Sequence, residues 1–384
     1  MNRISPLAMT DAASSSRSRP VWRWGLGLGL FLLLLVLTRN YLFVSDGLLG
    51  PDFGIIQQAY DFNLWQLPCG LAFVAAVFAG LGLLLSRSRR SLFGVAGLYA
   101  FLALDLFGLR YYVTYVEPQR LVVHTIRLET PKLLAPLRVL HISDIQAGAI
   151  ESYQKHIFEQ IRALKPDLIL NTGDFLQVVA PASFETEWPK LLQLIRQVNP
   201  RYGTYAVFGD TERELYRIAP EAMEPLIMLS SDSLAVDTAG GRLSLHGLSL
   251  YESRSTEWAL RSVGKWLNQA SRETDFRILF GHSPDYAIGM GEQAIDLCLA
   301  GHTHGGQVSL PFYGPLVIYS DVPKHWARGF RRIGIPFLNV SAGAGSNRHN
   351  GLPPLRFNCP TEMSLIELVP AGFNTAENQP DRLD

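Results

Sequence analysis

Five short apolar runs in the later part of this chain each end in side chains able to bind a metal ion. Residues 138–144 (RVLHISD) end in Asp144, with Gln146 two positions on, and residues 167–174 (DLILNTGD) end in Asp174. Residues 204–210 (TYAVFGD) end in Asp210, and 277–282 (RILFGH) in His282. The run 295–300 leads into Gly301-His302-Thr303-His304-Gly305-Gly306-Gln307. Short apolar runs bounded by glycine read as buried strands. In open α/β sheets, ligands collect just beyond the carboxyl ends of the strands. The pattern therefore asks for a fold that gathers these side chains along one sheet edge. Carboxylates and imidazoles without thiolates suit manganese, iron or zinc better than copper or an iron–sulfur cluster. So many donors exceed the needs of one tetrahedral ion. They suit two ions ~3.5–4 Å apart that share a carboxylate, a pair that activates water and polarises a phosphoryl oxygen.

The ordered motifs D-I-Q, G-D, G-D-T-E, G-H and G-H-T-H-G-G-Q resemble those of the calcineurin-like metallophosphoesterases: D-x-H, G-D, G-N-H-D/E, G-H and G-H-x-H. The resemblance extends over about 121–370, and residues 339–345 and 355–362 resemble the end of membrane-associated members. It implies a four-layer α/β/β/α sandwich and two divalent metal ions, manganese first, with iron or zinc as alternatives. One ion would take Asp144, Gln146, Asp174 and His304. The other would take Asp174, Asp210, His282 and His302. Asp174 would bridge them, with His302 and His304 completing the catalytic set. A hydroxide held between the ions would cleave a phosphate ester or pyrophosphate. Three positions depart from the family. Gln146 replaces a histidine with a weaker amide ligand, and Asp210 replaces an asparagine and adds charge. Thr211 replaces the histidine that assists the leaving group, and threonine is no acid near neutral pH. The alternative reading is a catalytically weakened, metal-binding membrane scaffold or sensor.

Upstream, residues 21–38, 67–85 and 91–109 are apolar on every face, each close to the ~20 residues that cross a bilayer. Arg3, Arg17, Arg19 and Arg23 precede the first, and Arg87, Arg89 and Arg90 separate the second from the third. The loop expected at 39–66 carries Arg39 against Asp46, Asp52 and Asp61. The positive-inside rule then predicts a multi-pass membrane protein whose domain from 121 to 370 is extracytoplasmic. Residues 1–20 and 371–384 are polar and expected to be disordered.

The 34 basic and 34 acidic residues cancel, so nothing global suggests nucleic acid. The expected partners are the lipid bilayer and a phosphate-ester substrate, including a lipid-linked phosphate or a nucleotide-sugar. Cys69, Cys298 and Cys359 form no C-x-x-C pair and are read as packing residues. His141 reads as a satisfied core histidine. His349 is a loop histidine that would stand in for the missing acid only if it reached the site. Lys324 and the basic run 328–332 read as a solvated face that can also meet anionic headgroups.

Overall fold

The computed structural model describes residues 21–49, 53–85, 88–269, 271–348 and 352–373. Of the segments expected to be disordered, 1–20 and the 374–384 part of 371–384 lie outside these residues, as does His349, whereas 371–373 are described and Ala371 N–H donates to Thr130 O (3.0 Å). The described chain falls into two compact units, one within 21–42 and 61–107, the other within 43–60 and 108–373.

The first 111 residues are helical where described: α1 (Val21–Leu49), α2 (Phe53–Asp61), α3 (Leu67–Leu84) and α4 (Arg89–Tyr111). A π turn at Phe62–Gln66 joins α2 to α3. Among the described residues, three segments are long and apolar enough to cross a membrane: Trp22–Asp46, Gly54–Leu84 and Arg89–Gln119. The loop expected at 39–66 is therefore mostly helix. Polar residues interrupt the apolar run there without breaking the helix. Asn40 and Asn63 satisfy each other through two amide hydrogen bonds of 2.9 and 2.7 Å, as buried polar groups in lipid must. In the first unit, Leu71, Ala75, Tyr99 and Ala103 pack together, and the Tyr99 hydroxyl donates to the Gly25 carbonyl at 3.0 Å. Leu26, Leu34, Phe73 and Leu104 point outward, the all-round apolarity of a lipid-facing helix.

The second unit contains two six-stranded sheets. The first has the order β1 (Val122–Thr130), β14 (Glu362–Pro370), β2 (Leu137–Ile142), β3 (Leu168–Asn171), β4 (Thr204–Ala206), β5 (Leu226–Met228). The second has the order β12 (Gly329–Arg332), β13 (Phe337–Val340), β9 (Leu297–Ala300), β8 (Phe276–Phe280), β7 (Gly241–Gly247), β6 (Asp232–Thr238). A small hairpin, β10 (Ser309–Leu310) and β11 (Gly314–Pro315), stands apart. Pairing is parallel from β2 to β5, and from β7 through β8 and β9 to β13.

Period-two alternation sorts the strand residues into three cores. Leu140, Ile142 and Ile169 pack with Ile157 and Ile161 of α5 (Ser152–Leu164) and Trp188 and Leu191 of α6 (Phe184–Val198). Val139, Leu168 and Leu170 meet Leu245, Ile278, Phe280, Leu297 and Leu299 between the sheets. Cys298, Ala300 and Leu279 pack beneath Val263 and Trp266 of α8 (Thr256–Gln269), which follows the single-turn α7 (Leu250–Ser253). Four α/β/β/α layers result. His141 is fully buried and bonded to Thr172 (3.1 Å) and Asn339 (2.8 Å), and burial lowers its pKa to about 3.

Sequence patterning predicts a mostly helical stretch over 212–229 and a short strand over 316–319, and both expectations are corrected. Residues 212–229 are not a helix: Pro220 and Pro225 reduce them to short 3-10 turns at Leu215–Arg217 and Pro220–Met223, then β5. Residues 316–319 form no strand, and the Tyr319 carbonyl is used by a histidine instead.

Candidate active site

Asp144, Asp174, Asp210, His282 and His302 follow the carboxyl ends of β2, β3, β4, β8 and β9. The parallel order brings these ends to one edge. The backbone there is unusual. Asp144, Gln146, Asp174, His302 and His304 have φ values of 50°, 36°, 60°, 68° and 50°. Non-glycine residues seldom take this left-handed conformation, and such strain clusters at functional sites. Neighbouring strands hold it in place: Asp144 N–H donates to Gly173 O (2.9 Å) and Gln146 N–H to Asp174 O (2.8 Å). The glycines of two motifs make room for carboxylates. A Cβ at Gly209 would collide with the Asp174 carboxylate, and one at Gly301 with Ser143 and the Asp144 carboxylate.

Two groups of donors form, each with its ligand atoms within 4.8 Å of one another: Asp144, Asp174 and His304, and Asp210, His282 and His302. In the first, His304 Nε2 lies 3.4 Å from Asp144 Oδ1. Asp144 also accepts from the His302 N–H and, at 2.5 Å, from Ser143 Oγ. In the second, Asp210 Oδ2 lies 2.9 Å from His302 Nδ1 and 3.5 Å from His282 Nε2. Carbonyls aim both rings: His282 Nδ1–H donates to Thr172 O (2.7 Å) and His302 Nε2–H to Tyr319 O (2.8 Å). Such outer bonds fix the tautomer and turn the other ring nitrogen inward. Asp174 adjoins both groups, with Oδ2 3.6 Å from His282 Nε2. Gln146 gives its amide N–H to that same oxygen at 2.5 Å. Thr211 donates to Asp174 Oδ1 through its backbone N–H (3.0 Å) and its hydroxyl (3.2 Å).

The charges show what the pocket lacks. Burial pushes the Asp144 pKa up to about 6; His282 works against this and Asp174 adds to it. Burial alone would lower the His282 pKa, yet Asp174, Asp210 and Asp144 raise it well above normal. Burial and then the Arg356 charge hold His304 far below normal, so its imidazole is neutral. The carboxylates around His282 thus favour positive charge at this point. Among the described residues, His304 Nε2 and Gln146 Oε1 are buried with no hydrogen-bond partner, an arrangement costing about 1–3 kcal/mol per group. Divalent cations fit this donor set: they would satisfy both orphaned atoms and offset the carboxylates.

A model of the calcineurin-like phosphoesterase family matches residues 137–306. The chain carries a calcineurin-like phosphoesterase domain. It is 29% identical over 287 residues to the uncharacterized metallophosphoesterase YkuE of Bacillus subtilis, covering 73% of this chain and 96% of that one. It is 27% identical to the phosphodiesterase YaeI of Escherichia coli, over 61% of this chain and 83% of that protein. It is also 27% identical to a Danio rerio transmembrane protein with metallophosphoesterase domain, over 78% of this chain and 70% of that protein. The domain is that of a phosphoester hydrolase, its donor groups can hold divalent metals, and the apolar helices that precede it support a membrane location.

Several side chains of the phosphoesterase domain carry structure around the site: Glu212 closes a motif legible in the sequence, whereas Arg254 and Arg356 have no local signal. Glu212, the last residue of G-D-T-E, is buried and accepts from the Phe175 and Gly209 N–H groups, both at 2.5 Å. It ties the Asp174 loop to the Asp210 loop, and burial followed by the Asp174 charge raises its pKa well above normal. Arg254, just past α7, pairs with Asp210 Oδ1 and offsets the charge that Asp210 adds. Arg356 is fully buried and lies 3.5 Å from His304 Nδ1. Val113 and Glu117 also belong to this unit: Arg356 N–H donates to Val113 O (2.9 Å) and Cys359 N–H to the Glu117 carboxylate (2.8 Å). A domain starting at 121 would omit both. His246 bonds Ser233 and Ser262 and stacks on Trp266, away from the phosphoesterase site.

Proposed function

We propose that this phosphoesterase holds two divalent ions, manganese first, and hydrolyses a phosphodiester or pyrophosphate bond outside the cytoplasm. Asp144, Gln146, Asp174 and His304 would hold one ion. Asp174, Asp210, His282 and His302 would hold the other. The observation that supports this reading is the position of Asp174, whose Oδ2 touches Gln146 of the first set and lies 3.6 Å from His282 of the second. Bound divalent ions supply Lewis acidity toward a phosphoryl oxygen and toward water. The protein supplies the rest. Thr211 fixes the shared carboxylate, and Ser143 and the His302 N–H fix Asp144. Arg254, partly exposed beside Asp210, offers a guanidinium to the phosphate of a substrate. Thr211 cannot protonate a leaving group, so substrates whose leaving groups depart as stable anions are favoured. A pyrophosphate carried on a lipid or within a nucleotide-sugar meets that requirement, because the group that leaves is itself a phosphate. The arginine bias around the apolar helices supports a multi-pass anchor with the domain on the extracytoplasmic side.

Hydrolysis of bis-p-nitrophenyl phosphate by the full chain in detergent tests the chemistry. Activity should rise with added Mn²⁺ and disappear with a chelator. Gln146→His, which installs a stronger donor, should flatten the Mn²⁺ dependence. Equal dependence in the two proteins would remove Gln146 from the ligand set. Orientation is read separately with reporters fused after Asp384. Alkaline phosphatase should be active there and a cytoplasm-only fluorescent protein dark; the reverse pattern would place the domain inside the cell.

A further inference from the structure

The hairpin β10–β11 carries a residue whose cost nothing in the fold repays. Phe312, at its tip, is fully exposed and sits at φ 65°. Turns normally give that conformation to glycine or asparagine. Here a large apolar ring occupies it and projects into solvent. Tyr313 beside it is exposed too, with Lys324 Nζ 4.4 Å from its ring centre and bonded to its hydroxyl at 3.1 Å. An aromatic tip with a lysine at its shoulder has the chemistry of a membrane-interface anchor.

Its place in the fold agrees. The base of the hairpin is bonded to residues 357 and 358: Ser309 N–H donates to Phe357 O (2.9 Å) and Asn358 Nδ2 to Ser309 O (3.3 Å). The residues on either side of that pair, Arg356 and Cys359, hold Val113 and Glu117 through the bonds given above. Val113 and Glu117 follow α4 directly, where Tyr111, Tyr112 and Tyr115 are exposed like an interfacial aromatic belt. The tip is three residues from Ser309, ~10 Å of extended chain.

The same hairpin is rooted in the active site. It begins at the end of G-H-T-H-G-G-Q, with Gly306 packed so closely on Pro315 that a Cβ would not fit. The segment that leaves it supplies the Tyr319 carbonyl to His302. Cys359 Sγ donates to His304 O at 3.3 Å, so the contact that holds Glu117 also abuts the site. We propose that the Phe312–Tyr313 tip inserts into the interfacial layer of the bilayer and sets the metal site against the headgroups. The substrate phosphate would then be one carried by a membrane lipid. This rests on the chain being membrane-anchored, and the docking itself needs no assumption about the metals.

The test reads the depth of residue 312 rather than activity. In the full chain with Cys69→Ser, Phe312→Cys is labelled with an NBD fluorophore and placed in phosphatidylcholine–phosphatidylglycerol nanodiscs. Glu273→Cys, an exposed position at the opposite end of β8, is the control. At 312 the label should emit to the blue and be quenched several-fold more by doxyl-labelled lipid than by aqueous iodide, with the opposite order at 273. Iodide quenching at 312 equal to that at 273 would overturn the docking. So would shielding that is lost on dilution to one chain per disc, since a second copy would then be the cover. Because neither readout uses catalysis, failure here stays distinct from failure of the metal reading.

Discussion

Asp174→Asn should abolish hydrolysis and, in the metal-free protein, raise the melting temperature. Both effects come from one carboxylate. Asp174 is the donor that both proposed ions share, so its loss should lower the rate by on the order of 10³-fold or more, the scale of losing a principal electrostatic element. Without ions the same charge attracts His282 but repels two other buried carboxylates. It raises the Asp144 pKa after burial and the opposing His282, and it raises Glu212 after burial. Asparagine keeps the shape, can still accept from Thr211, can donate to Gln146 once that amide turns over, and removes the repulsion. About 1 kcal/mol of relief would raise the melting point by about 2–4 °C in a domain of this size. Thermal melts with chelator present, paired with rate measurements in Mn²⁺, check both halves. An inactive variant that also melts lower would show only a damaged fold.

Arg356→Ala should be the most destabilising substitution near the site. The guanidinium is buried without a carboxylate, and backbone carbonyls surround it. It donates to Ala342 O (2.6 Å), to Gly345 O through two nitrogens, to Ser346 Oγ (3.2 Å) and to Cys359 O (3.0 Å). These acceptors come from two loops that frame His304, and alanine would leave all of them unpaired. Each buried acceptor left unpaired costs about 1–3 kcal/mol, and several together should lower the melting temperature by about 10 °C or more. Lysine should not rescue it, because one ammonium cannot span acceptors on both loops as a planar fork does. A melting point within about 2 °C of wild type would mean that water replaces the side chain.

How legible the molecule was in its sequence depended on where each signal resides. The strands that carry Asp144, Asp174, Asp210, His282 and His302 are apolar runs closed by a motif, so both their existence and their ends could be read locally. The glycines of Gly209-Asp210 and Gly301-His302 are legible as turns, but their reason is not. They clear space for a carboxylate from another strand. Arg356 and Arg254 look like solvated arginines in sequence; one is buried among distant carbonyls and the other pairs with Asp210. The apolar helices run past their expected ends because Asn40 pairs with Asn63, a match between residues 23 apart. Residues 212–229 carry helix-like apolar spacing, and the two prolines override it.

The central claim is that two divalent ions share Asp174. Its most direct measurement is the metal content of the purified full chain by mass spectrometry after equilibration with Mn²⁺ and removal of free ion. Each bound metal is counted per folded chain, in wild type, His302→Ala and Asp174→Asn. Two ions are expected in wild type, one of them exchanging readily because Gln146 is a weak ligand. His302→Ala should keep about one, and Asp174→Asn should keep neither tightly. Wild type that is folded yet binds a single ion, with no change on His302→Ala, would contradict the shared-carboxylate site.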